Sequence, residues 1–367
     1  MIRPSIKLLI KASSRIIKNL KPAIFIFGLA GICGFCPSAA IAKLDTTGAE
    51  SKIQVVATME AAIDALYESD FQSAHRLLEQ ELLANPNNER AHHYLGRVEY
   101  LKGNFEQSEA YFNSAIALDD QVSDNFYWLS LSLADQHYST SIFRLYSLIK
   151  RFLESAKQAV ALKPESLLAH ENLLDFYVSV PGVLGGSEKL AEKHARVIAD
   201  IDTAAGHYAQ GRIYFAQDDY EKAEQQVRLA LSLDPDRIRY HFGLGLVLAS
   251  RGKNEEAINA FSHIANLKPD GPVELVSQWQ ALDKIGRISA ASGTHLSLGQ
   301  AAIEAYLKRP IVNPKLSDSN WARIRLASIY RHQGKKAQTV ELLNDLLASE
   351  PNRKLRNQIS KELKQLR

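Results

Sequence analysis

Ala23–Phe35 (AIFIFGLAGICGF) is an apolar run of 13 residues without a charge, and beyond residue 42 the chain repeats itself at a lag of 34. Phe71 meets Phe105, Gly211 meets Gly245, Ala223 meets Ala257, Leu233 meets Leu267 and Pro235 meets Pro269. Self-similarity at such a period is the signature of stacked supersecondary units, so it is read before local structure. Within a period the small residues Gly96, Gly211, Gly245, Ala115 and Ala223 allow close helix approach, and Phe105, Phe112, Tyr214 and Phe261 fill the space between. Gly103 and Gly252 fall where a first helix must end and reverse, which favours a left-handed backbone. Pro86, Pro164, Pro235, Pro269 and Pro351 follow the second helix, which proline cannot continue. Each period therefore predicts an antiparallel helix pair that buries its apolar face only by stacking on its neighbours.

These residues resemble the tetratricopeptide repeat. The series Gly211-x2-Tyr214, Tyr220, Ala223-x3-Val227, Ala230 and Pro235 carries the likeness, as do Leu244-Gly245, Gly252, Ala257-x3-Phe261 and Pro269. Leu95-Gly96, Gly103, Phe105, Ser108-x3-Phe112 and Ala115 make a third series, with a weaker fourth at Phe71, Ala74-x3-Leu78 and Pro86. The resemblance implies an all-α solenoid, a right-handed superhelix of antiparallel helix pairs closed by a C-terminal capping helix. Two repeats are expected in 55–122, two expanded and degenerate ones in 123–203, two regular ones in 204–271, a degenerate pair and loop in 272–319, one repeat in 320–353 and the cap in 354–367. The insertions, including Pro181–Gly186 at an inter-helix turn, resemble an exported bacterial subgroup of these proteins without a settled activity.

Composition changes this picture mainly at the N-terminus. The chain has 44 basic and 41 acidic residues, +3 overall, with 46% hydrophobic and 23% charged content, which excludes a mostly disordered or fibrous protein. Six of the basic residues (Arg3, Lys7, Lys11, Arg15, Lys18, Lys21) stand in 1–42 with no acid, leaving 38 basic against 41 acidic residues after Ala42. That balance offers no surplus for neutralising phosphates, so nucleic acid is not an expected partner. The basic stretch, the short apolar run and Ala40-Ile41-Ala42 fit a secretory signal cleaved after Ala42, with 43–54 as a linker. Localisation is then periplasmic or secreted. An uncleaved inner-membrane anchor and a mitochondrial presequence remain as alternatives, the first being the chain's one expected route to a membrane. Cys33 and Cys36 both lie in this segment, so the processed chain would hold no disulfide and no cysteine-ligated metal.

Candidate chemistry is sparse. His170-Glu171 starts the spelling of a zinc-protease helix, but the position that needs the second histidine is Leu174. His92, His170, His207 and His241 occupy equivalent places early in first helices, where they are expected to fill space and hydrogen-bond at a seam. The adjacent His92 and His93 point different ways and do not chelate together. The glycine loop 182–187 lacks the lysine of a phosphate cradle, and Ser187-Glu188 reads as a helix start. No catalytic residue, cofactor or metal site is expected, and the chain is read as a non-enzyme. An enzyme subunit using His137, His170 or Glu171 is kept as an alternative, as is a self-associating anchored spacer. What remains is a partner-binding groove on the first helices, lined by Arg90, His93, Arg97 and Tyr100, by Tyr208, Arg212 and Phe215, and by Arg239, Phe242 and Leu246. Arginine with aromatics suits a protein or peptide segment that is acidic or aromatic. The lysine and asparagine set by which family members clamp C-terminal carboxylates is not reproduced.

Overall fold

The computed structural model describes residues 58–136, 142–267, 272–309, 315–349 and 352–366. The expected signal, both cysteines, the linker, the start of the first repeat, His137, Pro269, the 310–314 loop and Pro351 lie outside the described residues. Among the described residues every regular element is a helix, as the period requires. The chain divides into two compact units, Met1–Asp234 with Asp270–Pro272, and Pro235–Pro269 with Val273–Arg367.

The first unit holds α1 (58–67), α2 (Phe71–Ala84), α3 (Glu89–Lys102), α4 (Phe105–Leu118), α5 (Ser123–Asp135), α6 (Ile142–Leu162), α7 (Leu167–Ser179), α8 (Glu188–Ile201), α9 (Thr203–Ala216) and α10 (Tyr220–Leu233). Second helices pack both on their own first helix and on the next one, as α4 does on α3 and α5 and α8 does on α7 and α9. First helices also touch in sequence, α3 to α5, α5 to α7 and α7 to α9. That is the connectivity of a solenoid, in which each pair shields its neighbour's apolar face.

The sequence terminates these helices with local chemistry. Asn88, Ser187 and Asp202 cap α3, α8 and α9, their side-chain oxygens accepting from the amides of Ala91 (3.2 Å), Leu190 (3.3 Å) and Ala205 (2.8 Å). Gly103 ends α3 at φ 85, and Ser69 takes the same left-handed turn one repeat earlier at φ 64. The expanded repeats lengthen individual elements: α6 has 21 residues where α4 has 14. The Pro181–Gly186 insertion forms a tight turn between α7 and α8, closed by Gly186 N–H to Pro181 O (3.3 Å) and Ser187 N–H to Tyr177 O (3.0 Å).

The second unit holds α11 (Ile238–Ser250), α12 (Asn254–Asn266), α13 (Pro272–Ser292), α14 (Leu296–Leu307), α15 (Ser319–His332), α16 (Lys336–Ala348) and α17 (Arg353–Lys364). Its core gathers Trp279, Ile303, Tyr306, Leu326 and Ile329 around α13–α15. α17 is amphipathic and lays Leu355 and Ile359 on Leu343, Leu346 and Ile324, the expected closing position. No described helix is long and apolar enough to cross a membrane.

Candidate protein-binding face

The touching first helices of the first unit provide the platform on which the candidate residues fall. The spacing predicts an open row of side chains there, and the structure corrects that expectation. Arg90 is exposed, with Glu60 at 3.7 Å, and His93 is half-buried, whereas Arg97, Tyr100, Tyr208, Arg212 and Phe215 are buried. The reason is the close approach of neighbouring first helices, which lets these long side chains fold onto one another. Tyr100 packs on Phe105 and Trp128 and donates its hydroxyl to Asp135 (2.6 Å). Phe215 lies against Tyr220.

Arg212 is neutralised within the chain. It forms a buried ion pair with Asp175 of α7, the preceding first helix, and its guanidinium also lies over Tyr208 at 5.8 Å. Removing one partner of such a pair leaves a desolvated charge, so Arg212 is part of the packing between α7 and α9. The spacing does not point to Asp175 as the partner of Arg212, because the expanded repeat sets the two off the 34-residue register.

Arg97 has a different environment. Its guanidinium lies 5.7 Å from the ring centre of Tyr67 on α1, 5.2 Å from that of Tyr94 on α3 and 5.1 Å from that of Trp128 on α5. One turn earlier, His93 shares a hydrogen bond through Nδ1 with Asn125 Oδ1 (2.7 Å), and the Asn125 amide donates to Glu89 (2.6 Å). Burial, together with the Arg97 charge, pushes the His93 imidazole down to about 3, so it is neutral at ordinary pH. Tyr67, Tyr94 and Trp128 were not assigned to the candidate face; only their placement on three consecutive first helices reveals them.

The four equivalent histidines do hydrogen-bond at seams. Nε2–H of His92, His170 and His241 donates to the carbonyls of Pro86 (3.0 Å), Pro164 (2.8 Å) and Pro235 (2.6 Å), the residues that follow each preceding helix. His207 instead pairs with Gln226 Oε1 at 2.8 Å. His92 and His93 engage different partners, and no group of three or more potential ligands is assembled among the described residues.

In the second unit Arg239 and Phe242 are also buried, Arg239 lying over Tyr240 at 5.1 Å and Phe242 against Phe261; Leu246 is buried with them. This unit has a polar cluster that sequence reasoning did not find. Asp283 on α13 accepts from Arg325 on α15 and from the Ser317 hydroxyl (2.9 Å), while Tyr306 donates to Ser317 O (2.6 Å). Burial, with Arg287 and Arg325 nearby, holds the Lys284 amine below its usual range.

One tetratricopeptide repeat family model matches residues 59–123 and 208–272, and a second matches residues 321–353. Among solved structures, a tetratricopeptide repeat protein from Parabacteroides merdae is 13% identical at a TM-score of 0.50, over 76% of this chain and 99% of that one. Yeast Tom70 is 14% identical at a TM-score of 0.58, over 99% of this chain and 74% of its own. At these identities the likeness is one of fold. No curated protein matches the sequence.

Proposed function

From the premise that this chain is a tetratricopeptide repeat protein, a fold that generally mediates protein–protein interaction, we propose that it is a non-enzymatic scaffold or assembly factor. It receives a segment of another polypeptide on the first-helix side of its repeats. The observation that carries this reading is the unbroken contact of α3, α5, α7 and α9, which sets one continuous face beside Arg90, Arg97 and their aromatic neighbours. The slight acidity of residues 43–367 favours protein over nucleic acid as the partner. We place the protein outside the cytoplasm, in the periplasm or beyond, with 1–42 removed as a signal.

Site-specific photo-crosslinking of the full chain in envelope extract tests this. A crosslinker at Arg90 on α3 should capture a discrete polypeptide, while crosslinkers at Leu83 and Leu229 on second helices should not. Capture confined to the second-helix positions rejects the assignment of the face. N-terminal sequencing of the native protein should begin at Lys43; a chain that keeps 1–42 supports the anchored alternative instead.

A further inference from the structure

Four arginines elsewhere in the fold are paired with carboxylates of the chain itself: Arg212 with Asp175, Arg325 with Asp283, Arg151 with Glu109 and Arg331 with Glu362. Arg97 is not. It is only 4% exposed, its Nε is buried without a hydrogen-bond partner, and no carboxylate among the described residues is paired with it. The three surrounding rings answer only part of its needs. A guanidinium presents two π faces, which Tyr67, Tyr94 and Trp128 can stabilise, but its five N–H donors lie in the plane and require lone pairs. With Nε buried, the edge left for a ligand is the one formed by the two Nη groups, which can pair end-on with a carboxylate through two parallel hydrogen bonds. A buried cation left without an anion is costly, so the site is incomplete as it stands.

We propose that Arg97 receives a side-chain carboxylate of the bound polypeptide at the Nη end of its guanidinium, beside the rings of Tyr67, Tyr94 and Trp128. The inference rests on the first-helix docking proposed above and specifies the segment's chemistry: an aspartate or glutamate flanked by apolar or aromatic side chains that meet those rings. A chain-terminal carboxylate is the poorer fit. Capture of a terminus draws on several converging donors, and here the nearest ones are committed, His93 to Asn125 and the Asn125 amide to Glu89.

The test is ¹H–¹⁵N NMR of the full chain, following the Arg97 Nε–H and the Trp128 indole N–H during titration with three tripeptides. These are acetyl-Phe-Glu-Phe-amide, acetyl-Phe-Gln-Phe-amide and acetyl-Phe-Gln-Phe with a free carboxyl end. The glutamate peptide should shift both signals saturably and the glutamine amide should not. The free-ended peptide should bind at least about tenfold more weakly than the glutamate one. Arg97→Lys, which keeps the charge and loses the planar edge, should weaken the glutamate peptide by about tenfold, the effect of roughly one charge-assisted hydrogen bond. Equal response to glutamate and glutamine in the unaltered protein, undiminished binding by Arg97→Lys, or preference for the free end overturns the proposal. The two readings fail separately: if the Arg90 crosslink persists unchanged in Arg97→Lys, the docking face survives and the carboxylate site does not.

Discussion

Across the α7–α8 pair, from the first turn of α7 to the middle of α8, two histidines share a contact whose proton placement is fixed by its surroundings. His170 Nε2–H is committed to Pro164 O, so its Nδ1 must accept, and Nδ1–H of His194 donates to it at 2.8 Å. Tyr177 stacks on the His194 ring. Burial first, then the proximity of His170 and of Lys193, lowers His194 to about 4. The sign of the linkage follows. Above the unfolded value near 6.5 both states are neutral and the pair contributes without pH dependence. As pH falls from there toward about 4, the unfolded chain takes up a proton that the folded one refuses, and stability is lost. Between pH 7 and pH 5 this histidine should contribute a loss of about 1–2 kcal/mol, and His93 acts in the same direction. Urea denaturation at the two pH values measures it. His194→Gln, whose amide can still donate to His170, should show a correspondingly flatter dependence; an unchanged difference would assign the acid sensitivity to other groups.

Two of the regular helix pairs are closed by a glycine facing an aromatic ring. A Cβ on Gly245 of α11 would lie 2.6 Å from the Phe261 ring of α12, and one on Gly96 would lie 2.7 Å from Phe112 of α4. The two helices are therefore as near as these rings permit, and neither ring can retreat because both are fully buried. Gly245→Ala gains at most about 1 kcal/mol of helix propensity against about 1–3 kcal/mol of overpacking, so net destabilisation is expected in thermal denaturation. Phe261→Leu in the same background should recover part of the loss, a coupling that a double-mutant cycle reads directly. Gly211 supplies the internal control. Its neighbour at the equivalent place is Val227, whose nearest atom would be 2.9 Å away and is the tip of a smaller side chain. Gly211→Ala should therefore cost less than Gly245→Ala.

Across the whole molecule, what was legible and what was not divides by the range of the interaction. Helix-pair closure, the glycine turns and the caps are local, recur within each repeat, and leave their residue types at fixed offsets: Gly103, Phe112, Gly245 and Ser187 each do what their spacing implies. The pairings that decide which arginines remain available run between repeats of unequal length. Arg212 finds Asp175 and Arg325 finds Asp283 across insertions that break the 34-residue lag, so nothing in the period announces them. The end of the array was legible because an exposed terminal pair needs a polar outer face and an apolar inner one, and α17 supplies both: Leu355 and Ile359 are buried while Arg353, Lys354, Arg356 and Lys361 are exposed. Its removal tests how far stability propagates. Leu355→Ala with Ile359→Ala should destabilise the adjoining pair by about 4 kcal/mol or more, the usual range for two truncated core aliphatics, because Leu343 and Leu346 lose their cover. In a stack held by nearest-neighbour contacts the damage stays near its source. Hydrogen exchange should accelerate in α15–α17 and stay unchanged in α3–α5, with Lys361→Arg on the outer face as the neutral control. Uniform loss of protection along the chain would instead mean that the repeats melt as a single cooperative body.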